Sequence, residues 1–291
     1  MQVIFHTGAH CTDEERLLKC LLRNKDFFAK RGVSVPGPGR YRSLLKDAFE
    51  AMETAAPAAD ARDVLIDAIL DDEVADRLIL SNSHFFGSQQ FSLGNGVLYP
   101  DATARMAQLQ LLFPFEQNEM FMALRNPATF LPAIRGEVSN RKFREMKGDT
   151  DPRELRWSET VARIREAAPN VPLTIWCNED TPLIWAQIIR ELAGLEHGDK
   201  ITGGFDVLNS IMSKEGTKRF DAYLQEHPDM SEAQQRRVIA AFLDKFALED
   251  EVEEELDLPG WTDELVDELT EIYDEDVLAI QRIPGVQLIA P

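Results

Sequence analysis

The stretch FHTGAHCTDEERLL, Phe5 to Leu18, decides how this chain is read. An apolar run, Gln2 to Phe5, leads through Gly8 into Leu17, Leu18, Leu21 and Leu22, which share one helical stripe. A strand that passes through a glycine turn into a helix is the build of many phosphate-binding loops, because a helix start offers unsatisfied N–H groups to an anion. Here acids stand where the anion would sit: Asp13, Glu14 and Glu15. A carboxylate about 4 Å from a phosphate costs roughly 1 kcal/mol in water and about 4 kcal/mol at an effective dielectric near 20. The same acids suit the first turn of a helix, and Thr12 with Glu15 has the spacing of a capping box. The segment reads either as an anion site stripped of much of its charge or as a capped helix start.

Working outward, three more short apolar runs read as buried strands: Leu78 to Leu80, Met120 to Leu124, and Pro172 to Trp176. They hardly alternate, which suits a parallel sheet covered on both faces. Amphipathic helical patterns lie between them, in DVLIDAILDDEVA, in YPDATARMAQLQLLF and in DTPLIWAQIIRELAG, which has Asp180 or Thr181 as a cap and Gly194 as a stop. Strand and helix in alternation predict an α/β fold of three α/β/α layers around a parallel sheet. VSVPGPGRYRS, Val33 to Ser43, reads as a loop because proline and glycine alternate there. Beyond residue 200 the signal is nearly all helix. SEAQQRRVIAAFLDKF opens with a Ser231/Gln234 capping box, and WTDELVDELTEIYDEDVLAIQ sets Leu265, Leu269, Ile272 and Tyr273 on one side. The expected organisation is a core over residues 1–200 and a helical extension over 201–291.

Composition bounds the partners. The formal charge is −20 over 291 residues, which excludes general nucleic-acid binding, a task that needs a basic face. Much of the excess lies in EDEVEEELD, Glu249 to Asp257, and in the helix after it. That run reads as a solvated face or as a site for a cation or a basic protein partner. No apolar run approaches the ~20 residues that span a bilayer, and no basic segment precedes an apolar one at the start, so neither a membrane span nor a signal peptide is expected. Three cysteines, Cys11, Cys20 and Cys177, with no CxxC, point to a reducing cytoplasm.

In open α/β sheets ligands bind beyond the carboxyl ends of the strands. The residues there are His6 to Thr12, Ser81 to His84, Arg125 to Pro127, and Cys177 to Asp180. All four segments are expected at one crevice. His6, His10 and Cys11 are zinc-type ligands, but their spacing fits no standard pair, so no metal is expected. There is no GxSxG elbow and no GxGxxG.

At these residues the chain resembles the P-loop-like sulfotransferases that use 3′-phosphoadenosine-5′-phosphosulfate (PAPS). IFHTGAHCTDEERLLKCLL looks like their phosphosulfate loop, x-G-x-x-K-T-G-T-T between a strand and a helix. MALRNPATFLPAI looks like their second motif, an Arg-x-Pro after a strand with a serine eight residues after the arginine. The resemblance covers roughly residues 1–195, and more faintly YDEDVLAIQRIPGV. It implies PAPS as co-substrate, a hydroxyl-bearing sugar, lipid or small molecule as acceptor, and nucleotide contacts from Gly8, Ala9, His10, Cys11, Thr12, Ser81 and Arg125. It also implies His84 as general base, with His10 as the alternative base or sulfonate donor. The departures are Cys11 at the lysine, Asp13 at the second glycine, Glu14 and Glu15 at the last two hydroxyls, and Ala133 at the serine. They leave a rival of another class, a protein on this scaffold that binds without catalysing. An enzyme predicts Arg125 and His84 on one cavity with the Gly8 loop. A scaffold predicts that cavity filled by Phe85, Phe86 or the loop acids.

Overall fold

Apolar runs this short need both faces of their sheet covered, and the structure covers both. It is a computed structural model that describes every residue except 253–255 and 257. The strands are β1 (Gln2–His6), β2 (Val33–Ser34), β3 (Arg77–Ser81), β4 (Leu93–Gly94), β5 (Val97–Leu98), β6 (Gln117–Leu124), β7 (Leu173–Cys177) and β8 (Val286–Ile289). Six of them form one sheet in the order β2-β3-β1-β6-β7-β8, parallel at every pairing. Strands β4 and β5 make a small antiparallel hairpin.

The helices before residue 200 are α1 (Arg16–Arg23), α2 (Lys25–Ala29), α3 (Arg42–Met52), α4 (Ala61–Leu70), α5 (Ala102–Leu112), α6 (Pro127–Glu137), α7 (Asn140–Lys147), α8 (Trp157–Ala167) and α9 (Thr181–Ala193). After them come α10 (Asp206–Ile211), α11 (Lys214–Glu226), α12 (Glu232–Phe246), α13 (Glu249–Val252) and α14 (Asp263–Ile280). The acidic run Glu249 to Asp257 therefore falls partly outside the described residues.

Strand side chains alternate between faces, and the two faces make two cores. Val3, Phe5, Leu78, Leu80, Met120 and Met122 pack with residues of α3, α4, α5, α6, α8 and α14. Ile4, Ile79, Phe121, Ala123 and Trp176 pack with Leu17, Leu18 and Leu21 of α1 and with the apolar side of α9. The three-layer α/β/α architecture follows, with a mostly helical C-terminal part. There Leu208, Met212, Phe220 and Ile239 form a third cluster. Among the described residues no helix is long and apolar enough to cross a membrane.

Three details differ from the sequence reading. Val33–Ser34, inside the expected loop, pairs with β3 as an edge strand. Val286–Ile289, inside the expected helical region, returns to the sheet beside β7. Both are too short for periodicity to separate from turn residues, and their strand state is set by the neighbour they pair with. The third is the capping box at Thr12. Cys11, Glu14 and Glu15 have φ of 57°, 48° and 65°, so helix α1 starts only at Arg16. Thr12 Oγ1 donates instead to the Ala9 carbonyl at 2.7 Å, and Asp13 Oδ2 accepts the Leu17 N–H at 3.1 Å. The box at Ser231 and Gln234 forms as read, and α9 stops at Gly194 in the left-handed region.

The C-terminal helix is tied to the core by one buried carboxylate. Asp276 of α14 is buried and accepts the N–H groups of Trp157 (2.6 Å) and Ser158 (3.1 Å), the open start of α8. Removing it leaves two donors without a partner in a closed site. Asp276→Ala is expected to lower the unfolding free energy by about 2–4 kcal/mol, with Asp276→Asn losing less because one acceptor survives. Urea unfolding measures both. A loss under about 0.5 kcal/mol, the size of an ordinary surface change, would mean that water caps α8 equally well.

Candidate functional site

Parallel pairing places the carboxyl ends of β3, β1, β6 and β7 side by side, and the four expected segments lie there, divided between two cavities and not gathered in one crevice. The chain after β1 does not leave the sheet at once. Thr7 N–H donates to the Phe121 carbonyl (3.0 Å), Ala9 N–H to the Ala123 carbonyl (2.8 Å), and Ala123 N–H to the Gly8 carbonyl (2.6 Å). His10 N–H then donates to Tyr99 Oη at 2.8 Å. Gly8 sits at φ 95°, where a Cβ would lie 3.2 Å from the His10 nitrogen, so the turn needs glycine. Gly8 and Ala9 are buried, with the Gly8 carbonyl and the Ala9 N–H committed to β6 and the Ala9 carbonyl to Thr12.

The segment from Cys11 to Glu14 rises beyond them as a ridge with a cavity on each side. The larger, about 820 Å³, is lined by Cys11, Thr12, Arg16, Arg125, Thr129 and Glu179, among others. Ala133 also faces it, at the position of the motif serine. Arg125 is buried at the start of α6. Its guanidinium donates to the Cys11 carbonyl and, through Nε at 3.0 Å, to Thr129 Oγ1. Helix α6 begins there because Asn126 accepts the Ala128 N–H at 2.9 Å and Pro127 needs no donor partner. Glu179 accepts the Asn126 N–H (2.8 Å) and the Tyr273 hydroxyl (3.3 Å). Burial pushes its carboxyl above the usual range, against the pull of those two donors and of Arg125.

The smaller cavity, about 210 Å³, is lined by His6, His10, Ser81, Ser83 and His84, with Asp13, Glu14, Glu15 and Glu137 also facing it. His6 Nδ1 lies 2.8 Å from Ser81 Oγ, and its ring stacks on Trp176. The Ser81 backbone is held in turn by Tyr41 and Arg42. His10 Nδ1 lies 2.8 Å from Tyr99 Oη, and its ring is 5.3 Å from that of His84. Burial pushes His10 down to about 3, helped by neighbouring His84. The Gly87 carbonyl opposes the shift without making a well-formed hydrogen bond to the ring. Burial also lowers His6 and His84, with Arg42 adding to the effect on His84.

The expected residues thus divide. Cys11, Thr12 and Arg125 face the large cavity; His10, Cys11, Ser81 and His84 face the small one; Gly8 and Ala9 face neither. Arg125 and His84 do not share a cavity, but the two cavities share Cys11, Asp13 and Glu14 as a wall. Phe85 and Phe86 lie in the core and fill neither, while Asp13 and Glu14 border both and Glu15 the small one. Among the described residues no group of three His, Cys, Asp or Glu is placed to hold a metal. Tyr99, Arg42 and Glu137 had no sequence signal, since each reaches the site from a distant segment.

No protein-family model matches the chain, and no curated protein matches it. Among solved structures it is similar to a sulfotransferase from Alicyclobacillus acidocaldarius, at 16% identity over 90% of this chain and 98% of that one, with a TM-score of 0.36.

The His10 environment has a measurable consequence. Its folded value, about 3, lies below its ordinary 6.5, so the unfolded chain takes up the proton first. This contribution to stability is complete above the ordinary value and is lost as pH falls between the two, at up to about 1.4 kcal/mol per pH unit. Denaturant unfolding of the wild type and of His10→Gln across that window should show a shallower acid slope in the variant. Equal slopes would place a charged His10 in the folded protein.

Proposed function

We propose that the chain transfers a sulfuryl group from PAPS to a hydroxyl acceptor, with the donor nucleotide in the large cavity and the acceptor in the small one. The observation that carries the reading is the shared wall. Arg125 lines one cavity and His84 the other, not one cavity as expected of an enzyme, and Cys11, Asp13 and Glu14 line both, so donor and acceptor would have to meet over the rim of that ridge. A cavity near 820 Å³ suits a nucleotide, and Arg16, Arg125, Thr12 and Thr129 give it cations and hydroxyls for anionic oxygens. His84 is exposed and, with a lowered proton affinity, stands neutral at physiological pH, as a base must. In the reaction the acceptor oxygen forms a bond to sulfur as its proton passes to His84, and the bond from sulfur to the nucleotide phosphate breaks. The resemblance of the two motifs supplies the identity of the donor. A reducing, cytoplasmic setting suits three cysteines that form no disulfide.

A second reading is supported by the wiring of the loop. The N–H groups of Thr7, Ala9 and His10 bond within the protein, the Arg125 guanidinium already holds the Cys11 carbonyl, and no lysine stands at Cys11. On that reading the scaffold binds a ligand, or a basic protein partner at its acidic C-terminal region, without transferring anything.

Thermal unfolding with 3′-phosphoadenosine-5′-phosphate separates nucleotide binding from its absence. At about a hundred times its dissociation constant the ligand should add roughly 2.7 kcal/mol to the wild type. The increment should shrink in Arg125→Lys, which keeps the charge but loses the planar fork. No increment at millimolar ligand would sink the sulfotransferase reading. If the nucleotide binds, His84→Ala should cut turnover about a hundred- to ten-thousand-fold and leave the thermal shift intact. Unchanged turnover would move the base elsewhere.

A further inference from the structure

Between α3 and α4, and apart from the two cavities of the site, lies a groove of about 260 Å³. Every residue that lines it is alanine, leucine, valine, methionine or proline. Leu65 and Leu112 in its lining are buried, but the groove opens to water. Ala51, Ala55 and Ala58 are exposed, and Val64 is 57% exposed. With no polar group in the lining, what the groove can bind directly is apolar surface.

The edges of the groove carry the opposite character. Helical neighbours stand three or four residues apart. On α3, Leu44 and Ala51 line the groove, and Asp47 is the neighbour of both. On α4, Val64 lines it, with Asp60 four residues before and Asp67 three residues after; the Val64 N–H donates to the Asp60 carbonyl at 3.0 Å, so the spacing is that of a helical turn. All three aspartates are exposed. Nearby acids are matched: Lys46 pairs with Glu50, Arg62 with Asp63 and Arg105 with Glu53. Among the described residues Asp47, Asp60 and Asp67 have no ion-pair partner, and the Asp60 side chain makes no cap hydrogen bond. An apolar trough therefore runs between two edges that each keep an unmatched negative charge.

We propose that this groove docks an amphipathic helix of a partner protein, with its apolar stripe in the trough and lysines or arginines on its flanks facing Asp47 on one edge and Asp60 and Asp67 on the other. The charge selects this occupant. A second copy of the chain, with a net charge of −20, would bring its own excess of acid to the same edges, and a fatty acid or anionic lipid would meet the aspartates with like charge. The assignment does not depend on the sulfuryl-transfer reading, because no residue of the groove lines either cavity of that site.

Fluorescence anisotropy of labelled peptides against the full chain tests it. The probe is a helical peptide of about fifteen residues, long enough to hold a helix, with leucines along one face and lysines beside them. Its counterpart keeps the leucines and replaces each lysine by glutamate. The lysine peptide should bind with a dissociation constant below about 100 µM and at least tenfold more tightly than the glutamate peptide. Val64→Lys, a change at an exposed side chain that puts a cation in the trough, should weaken the lysine peptide at least about tenfold. Asp47→Asn with Asp67→Asn should weaken it severalfold, whereas Asp229→Asn with Asp244→Asn, the same change of charge at exposed positions outside the groove, should leave it unchanged. Equal binding of the two peptides, no binding tighter than about 1 mM, or equal losses from the two aspartate pairs would overturn the proposal. A dimer in sedimentation that Val64→Lys splits would give the groove to a second copy and overturn it as well.

Discussion

The segment after β1 stays bonded to β6 for three residues beyond the strand, and the rest of the site depends on that attachment. Thr7, Gly8 and Ala9 exchange backbone hydrogen bonds with Phe121 and Ala123, and His10 continues the line onto Tyr99. The chain can turn upward only after His10. When it does, it passes through left-handed residues at Cys11, Glu14 and Glu15, conformations that cost roughly 1–2 kcal/mol each away from glycine. The resulting ridge makes two cavities out of what would otherwise be one crevice. It also delays the start of α1 to Arg16, so the helix end that would face an anion is set back behind its acids.

The two sides differ in their bases: arginines line one and imidazoles the other, while Asp13 and Glu14 border both. The large cavity holds Arg125 and Arg16 together with Asp13, Glu14, Glu179 and Glu251, and Glu179 is engaged by Asn126 and Tyr273. The small cavity holds imidazoles that burial keeps uncharged, ringed by carboxylates of which two are offset by arginines. Of the acids that depart from a phosphate-loop pattern, Glu15 lies on this second side, and Asp13 and Glu14 border both cavities.

The C-terminal helices belong to the same framework. Asp276 caps α8, Asn126 reaches Thr270 at 2.8 Å, and Tyr273 reaches Glu179, so α14 supports the start of α6 and the turn after β7 together. β8 then closes the sheet beside β7. Motion of α14 would therefore be felt at Arg125, although no residue of that helix lines either cavity.

Much of this was legible in the residues. Runs such as QVIF and MFMAL, with amphipathic stretches between them, specified buried parallel strands and covering helices, because burial on both faces removes alternation and the helical period does not depend on partners. The strand ends marked where cavities lie and put His84 and Arg125 beside them, but the division of the expected crevice in two was not in the sequence. What the sequence left open was everything set by a distant neighbour. Whether Val33–Ser34 and Val286–Ile289 are strands is decided by the strands beside them, and whether Thr12 caps a helix is decided by the pull of β6 on Ala9. Tyr99 reaches His10 across 89 positions, and no local pattern reports that contact. Local chemistry determined the layers and the candidate groups; only the tertiary structure decided which groups share a wall, because hydrogen bonds and charges act over ångströms and not over sequence separation.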